Sequence, residues 1–322
     1  MAKAKAKANV QAKAQATTKA KAQAKAQSHP DLASVSGTLT WPAYLMSLDE
    51  FLDTVRAAGR TYWRDLPWRN IDDAYAVLVS EIMLQQTQVA RVLRYWERFI
   101  DAFPTLDALA AATNADVLEM WQGLGYNRRA LALKRTADVC AAENGGCLPK
   151  TVEELLRLPG IGPATAAGVV AFAYNAPATY LETNVRTVFL HCLFPERDKV
   201  SDKEIMPLVE LSCPVENPRA WYYALLDYGA HLKSILPNPA RRSAHHVKQS
   251  TFEGSRRQKR AELVRIVLGS GTLSTDAAFC GLNELEVCAG RECVEREVFD
   301  SLVCDLAKEG FFTLENDEIL LV

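Results

Sequence analysis

Apolar positions recur at helical spacing from Leu48 to about residue 235, and no stretch there alternates as a strand would. Ser47 with Glu50 predicts a capped helix carrying Leu48, Phe51, Leu52 and Val55. Asp72 or Asp73 predicts the start of a second, running through the apolar segment Ala76–Leu84. The spacing of Val92, Leu93, Tyr95, Trp96, Phe99 and Ile100 predicts one helix over 89–103. Pro104, Asn114 and Asn144-Gly145-Gly146 punctuate further helices. The body, residues 41–236, is therefore expected to be all-α. Residues 237–258 read as a basic linker. Residues 259–322 read as a small separate unit of three short helices and a terminal hairpin, the pattern of a winged helix.

Composition changes this picture at one end. Residues 1–40 read as a disordered Ala/Lys-rich tail, too poor in large apolar groups to fold alone. Seven of the 37 basic residues lie in the first 30 positions, which hold no acid. The remainder carries 30 basic against 39 acidic groups, a net of about −9 hidden beneath a whole-chain charge of −2. A basic arm on an acidic body suggests contact with nucleic acid. The eight cysteines lack paired spacing and read as reduced thiols. No apolar run approaches the roughly 20 residues of a membrane span, and the N-terminus has no signal-like apolar region. A cytoplasmic, nucleoid-associated monomer is expected.

Three short segments carry candidate chemistry. Glu81 interrupts an apolar run and precedes the amide cluster Gln85-Gln86-Thr87-Gln88. A carboxyl so placed must find a partner or keep its proton, and a protonated one can act as a general acid. Leu158-Pro159-Gly160-Ile161-Gly162-Pro163-Ala164-Thr165 places two glycines between helices, where exposed backbone N–H groups can hold a phosphate. Glu182-Thr183-Asn184 adds a second carboxylate and a carboxamide at a helix start. Each segment alone also reads as ordinary helix punctuation.

Together and in this order, with Pro67-Trp68-Arg69, Gly123-Leu124-Gly125-Tyr126 and Asp227-Tyr228-Gly229-Ala230, they resemble the helix-hairpin-helix DNA glycosylases, and among these the MutY-type adenine DNA glycosylases. The resemblance covers roughly residues 60–232. It implies a two-lobed helical enzyme that extrudes a base from double-stranded DNA before cleaving its glycosidic bond. It makes Glu81 the acid that protonates the leaving purine and Glu182 the carboxylate that stabilises the cationic sugar. Asn184 would hold the acid or a water. Arg69 would line the base pocket. Gln86, Thr87, Leu124 and Tyr126 match residues that wedge into the duplex or face the opposite base. Gly160, Gly162 and Thr165 would grip phosphate, with a monovalent cation at the hairpin.

The chain also departs from the family. The second carboxylate is usually Asp, one methylene shorter than Glu182. Ala164 stands where bifunctional relatives carry a Schiff-base lysine, so a monofunctional enzyme is expected. No cysteine occurs between Gly229 and Gln249, where a [4Fe–4S] cluster would be ligated, so no cluster is expected. Cys280, Cys288, Cys293 and Cys304 do not match cluster or zinc spacing. The C-terminal unit is too small for the NUDIX-type domain that reads 8-oxoguanine. With twelve acidic and three basic side chains in residues 270–322, it is expected to contact a protein partner or pack on the core. The alternatives are the same chemistry on hypoxanthine, uracil or thymine, or a catalytically idle DNA-binding protein. Removing residues 1–29 should weaken binding to undamaged duplex and flatten its salt dependence, because seven lysines no longer release counterions. Anisotropy titrations over a salt series check this; an unchanged slope would dispose of the arm as a DNA contact.

Overall fold

The computed structural model describes residues 39–244 and 251–321. The predicted tail, but for Leu39 and Thr40, lies outside the described residues, as do His245-His246 and Lys248. The first helices are α1 (Leu48–Thr61), α2 (Ala74–Leu84), α3 (Val89–Val92), α4 (Trp96–Ala102), α5 (Leu106–Ala111), α6 (Asn114–Trp121) and α7 (Arg128–Glu143). They are followed by α8 (Val152–Leu155), α9 (Pro163–Ala173), α10 (Thr183–Cys192), α11 (Asp202–Ser212) and α12 (Pro218–Ile235). The chain leaves α1, builds α2–α9 as one lobe, and returns to pack α10 and α12 against each other and α12 against α1.

Helix α2 is apolar around nearly its whole circumference, so it must be buried on all sides. Asp73 caps it, accepting from the N–H groups of Tyr75 and Ala76. The helix expected over 89–103 is instead broken between α3 and α4. Six large apolar residues cannot share one inward stripe. The break turns Val92, Trp96 and Phe99 inward, lets the Trp96 indole donate to the Ala76 carbonyl at 3.0 Å, and leaves Leu93 at the surface.

Two motifs acquire a packing explanation. Gly160, at φ +73°, lies so close to Ala132 of α7 that any side chain would collide with it. Gly229 lies against the backbone carbonyl of Asn184, so the contact of α12 with α10 requires a residue without Cβ. Two residues earlier, buried Asp227 accepts a bidentate pair of bonds from buried Arg69, both at 2.8 Å, and another from Arg64 at 2.5 Å.

After α12 the chain turns through a 3-10 segment, Pro239–Arg242, that packs on α10. The Arg242 guanidinium donates to the carbonyls of Leu190, Phe194 and Pro195, at 2.9, 2.6 and 2.6 Å. It satisfies orphan acceptors at and just beyond the end of α10. The last unit comprises α13 (Arg256–Ser270), β1 (Leu273–Ser274), α14 (Thr275–Cys288), α15 (Arg296–Lys308), β2 (Phe312–Glu315) and β3 (Glu318–Leu321). Its strands pair antiparallel in the order β1-β3-β2, with Asn316 and Asp317 both left-handed in the hairpin turn. Several of its acids are engaged in ion pairs. Arg291, Gln258 and Lys259 surround buried Glu286 and hold its carboxyl down at about 2. Glu309 takes both Arg260 and, from the core, Arg128.

Gly229→Ala should cost about 2 kcal/mol or more, since the new methyl meets backbone that cannot yield without moving α10. A lowered Tm checks this; wild-type stability would mean the helices separate freely.

Candidate active site

A cleft of about 480 Å³ lies between α2, the start of α9 and the start of α10. It brings together Glu81, Glu182, Asn184, Arg69, Gln86, Thr87 and Thr165 from segments up to about a hundred residues apart in sequence. A cavity of this size accommodates an extruded base.

Glu81 stands on the cleft side of α2. Burial, then the neighbouring Glu182, push its carboxyl up to about 8, while a hydrogen bond from the Tyr180 phenol opposes the rise. It is therefore largely protonated at neutral pH. Gly168 of α9 makes the placement sterically feasible: a Cβ there would strike the Glu81 carboxylate and crowd the Tyr180 ring. Tyr180 is buried between Phe172 and Tyr222, with ring centroids 5.2 and 5.3 Å away.

Glu182 is the N-cap of α10. Its Oε1 accepts from the N–H groups of Asn184, at 2.5 Å, and Val185, at 3.1 Å. Burial raises its pKa, against the pull of Lys233, these two N–H bonds and Arg186. The N-terminal end of α10 thus favours the ionised form of Glu182, whereas no cation is prominent around Glu81. Asn184 faces the same cleft with its side-chain oxygen buried and without a hydrogen-bond partner. An orphan acceptor at the wall of a cavity is suited to a water or a substrate N–H.

Other expected residues occupy different stations. Arg69 lines the cleft, but Asp227 and the Arg64 carbonyl engage its guanidinium, which also lies over the Tyr223 and Trp63 rings. It braces the wall. Thr165 accepts from Gln85 Nε2 at 3.0 Å, which joins α9 to the amide cluster. Gln86, exposed and left-handed at φ 54°, projects at the rim beside Thr87. Tyr126, left-handed at φ 51° and 38% exposed, stands outside the cleft. Non-glycine residues held there cost on the order of 1 kcal/mol or more, a strain that concentrates at functional surfaces. Leu124 is only 2% exposed and belongs to the core. Gly160 and Gly162 lie in the turn between α8 and α9 and do not line the cleft; Gly162 is the N-cap of α9.

Arg129 ties these parts together and escaped sequence reading. It donates to the carbonyls of Ile82, Met83, Gln85 and Gly125 and to the Thr87 hydroxyl, at 2.5–3.1 Å. One side chain thus closes the end of α2 and fixes both rim loops. Tyr180 and Gly168 were missed too. The only sequence signal for them was a tyrosine two residues before Glu182 and a glycine inside an apolar helix.

The stretch after Gly229 offers no thiolate for an iron–sulfur cluster. The chain after Gly229 continues as α12 to Ile235 and then the Arg242 segment, with no thiol among them. Among the described residues no group of three or more His, Cys, Asp or Glu side chains could hold a metal ion, and no helix is long and apolar enough to cross a membrane.

Residues 79–214 match the model of the HhH-GPD superfamily of base excision DNA repair proteins. An adenine DNA glycosylase of Mycolicibacterium smegmatis is 35% identical over 262 residues, covering 75% of this chain and 87% of the relative. The chain belongs to this helix-hairpin-helix glycosylase family. A second adenine DNA glycosylase, from Mycobacterium tuberculosis, is 43% identical over 136 residues, 42% of this chain and 45% of that one. Against this and several other relatives the chain spans half of their length or less. A solved thermostable thymine-DNA glycosylase shares the glycosylase fold, with a TM-score of 0.51 and 25% identity over 57% of this chain and 86% of that one.

Where Glu81 donates its proton in the glycosylase reaction, the rate should fall as pH rises through about 8. Tyr180→Phe removes the bond that holds this pKa down, so the falling limb should move to higher pH. Because burial raises the folded-state pKa above its unfolded value, ionisation of Glu81 withdraws stability as pH rises between the two. Glu81→Gln should abolish turnover yet raise Tm at pH 8 and above, by about 2 °C or more. Rate–pH profiles and thermal melts check these signs; an unmoved limb in Tyr180→Phe would remove Tyr180 from the argument.

Proposed function

We propose that this protein is a monofunctional DNA glycosylase that hydrolyses the N-glycosidic bond of adenine mispaired with 8-oxoguanine or guanine. The observation that carries the reading is the pairing in one cleft of a largely protonated Glu81 with a Glu182 held by helix N–H groups. Two carboxyls with such different surroundings are suited to different roles. The base must first leave the stack, because the bond is inaccessible within it. Glu81 gives its proton to the adenine ring, and the C1′–N bond breaks with its electrons passing to a neutral base. The sugar is left cationic, and Glu182 stabilises it until water adds at C1′ and gives its proton to the Glu81 carboxylate, which restores the acid. The orphan oxygen of Asn184 is the acceptor best placed to orient that water.

Ala164 offers no amine for a Schiff base, so strand cleavage is not part of the reaction. The Gly160–Gly162 turn and the start of α9 take the DNA phosphate, with a monovalent cation serving the turn and no iron–sulfur cluster in the fold. Gln86, Thr87 and Tyr126 enter the duplex; Leu124 shapes their loop from beneath. We read 41–236 as the catalytic core, 237–258 as a connector and 259–322 as a winged-helix unit open to a protein partner. The enzyme acts as a monomer at the nucleoid. Similarity to a thymine-DNA glycosylase and the plain Ala164 support a second reading, the same chemistry on thymine or another mismatched base.

Single-turnover assays on duplexes with adenine opposite 8-oxoguanine, guanine or cytosine, and with thymine, uracil or hypoxanthine in mismatches, decide between them. Adenine release, lost in Glu81→Gln, is the expected result. Release of another base would transfer the specificity, and tight binding without any alkali-labile product would leave a DNA-binding protein.

A further inference from the structure

Helix α12 turns one face to the cleft, and that face ends in a cation. Tyr223 and Leu226 line the cleft from α12. The same stripe, at helical spacing, continues through Ala230 to Lys233. Side chains on a helix lean towards its N-terminus, so an amine at 233 reaches back over Ala230, which is too short to block it. Gly229 fixes the register of this stripe, because a methyl built there would lie 2.2 Å from the Asn184 carbonyl oxygen, just after Glu182 in the chain. The stretch beyond Gly229, which holds no thiol, thus presents a half-buried amine on the Glu182 side of the cleft.

The charges around Glu182 are unevenly committed. Glu81 faces it from α2, Tyr180 from the segment before α10, Arg186 from its own helix and Lys233 from α12. The Arg186 guanidinium is held by Asp202 through bonds of 2.8 and 2.9 Å. Arg64, which lines the cleft and whose charge reaches Lys233, is held by Asp227 at 2.5 Å. Lys233 belongs to no contact ion pair among the described residues, so no other acid claims it. It acts on Glu182 across a wall of low polarity, where a charge is felt further than in water. The support is mutual. Burial lowers the Lys233 pKa and Glu182 opposes the fall; burial raises the Glu182 pKa and Lys233 is the foremost opponent of that rise. Both cap bonds fall on Oε1 of Glu182, which leaves Oε2 outside the cap.

We propose that Lys233 is the counter-charge of Glu182, a positioning residue that keeps the second carboxylate ionised while the sugar is cationic. The longer glutamate and the lysine then form one arrangement, in which α12 supplies the positive charge that a buried carboxylate at this position needs. This rests on the reading of the protein as a glycosylase.

The test is single-turnover base release by the full chain across pH, on the duplex that the wild type cuts, with Lys233 intact, Lys233→Met or Lys233→Arg. Ionisation of Glu182 gives the profile its rising limb, and that of Glu81 its falling one. Lys233→Met should move the rising limb up by about one pH unit, so that release at its acid end drops about tenfold. Lys233→Arg should restore most of the limb, and the falling limb should stay in place in both. Loss by the same factor at every pH would reduce Lys233 to packing and overturn the proposal. So would an unmoved limb with weaker, less salt-dependent duplex binding, which would make Lys233 a phosphate contact. Thermal melts test the pair without any substrate. Lys233→Met should lower Tm at neutral pH by about 2 °C more in the wild-type background than with Glu182→Gln, where the amine faces no anion. Additive melts would overturn the pairing whichever base is removed, whereas coupled melts with no base release on any duplex would sink the glycosylase reading alone.

Discussion

Helix α9 can approach Glu81 only because residue 168 has no side chain, and much of the site depends on that approach. A carboxyl on a helix buried all round would ordinarily be expelled or neutralised by a cation. Here α9 closes over it, Tyr180 gives it one hydrogen bond, and the carboxyl keeps its proton. The same closeness makes the first turn of α9 a wall of the cleft, so Thr165 can engage Gln85 from across it. Burial that would be a defect in a structural helix thus becomes the source of an acid usable near neutral pH.

Much of this was legible in the chain. Helical periodicity gave the class of the body, and Glu81 stood out because it interrupts an apolar run, whereas the two-glycine turn and Asn184 read alone as ordinary helix punctuation and gained meaning only beside it. What was not legible depends on which segments meet. Arg129 looks like any arginine at a helix start until the ends of α2 and the loop at Gly125 converge on it. Leu124 sits among rim residues in sequence yet points the other way, because the loop around it turns through left-handed Gly123 and Gly125. The break between α3 and α4 was hidden because helix periodicity records how many apolar faces exist, not how many can be buried at once.

The structure also bears on what stands where a cluster-bearing relative would place metal ligands. A thiolate cluster pins a loop by coordination. This chain continues α12 to Ile235 and then lays Arg242 across three carbonyls at and beyond the end of α10, so hydrogen bonds to a charged donor hold that end. Of the basic connector, read in sequence as a run of positive charge, Arg242 serves this internal task and Arg256 pairs with Asp305 of the C-terminal unit.

The longer side chain of Glu182 is then less disruptive than its extra methylene suggests. Aspartate and asparagine dominate helix caps because a short side chain reaches the second and third N–H groups without folding back. Glu182 reaches the same two donors with Oε1 alone, so its added length is taken up in curling over its own helix. The helix uses one oxygen and leaves the other out of the cap. The bonds that restrain the side chain also oppose the rise that burial imposes on its pKa, whereas at Glu81 only the Tyr180 phenol does so. The two carboxyls differ in surroundings because one sits at a helix N-terminus and accepts two backbone N–H bonds, while the other sits in the middle of a helix beside Tyr180.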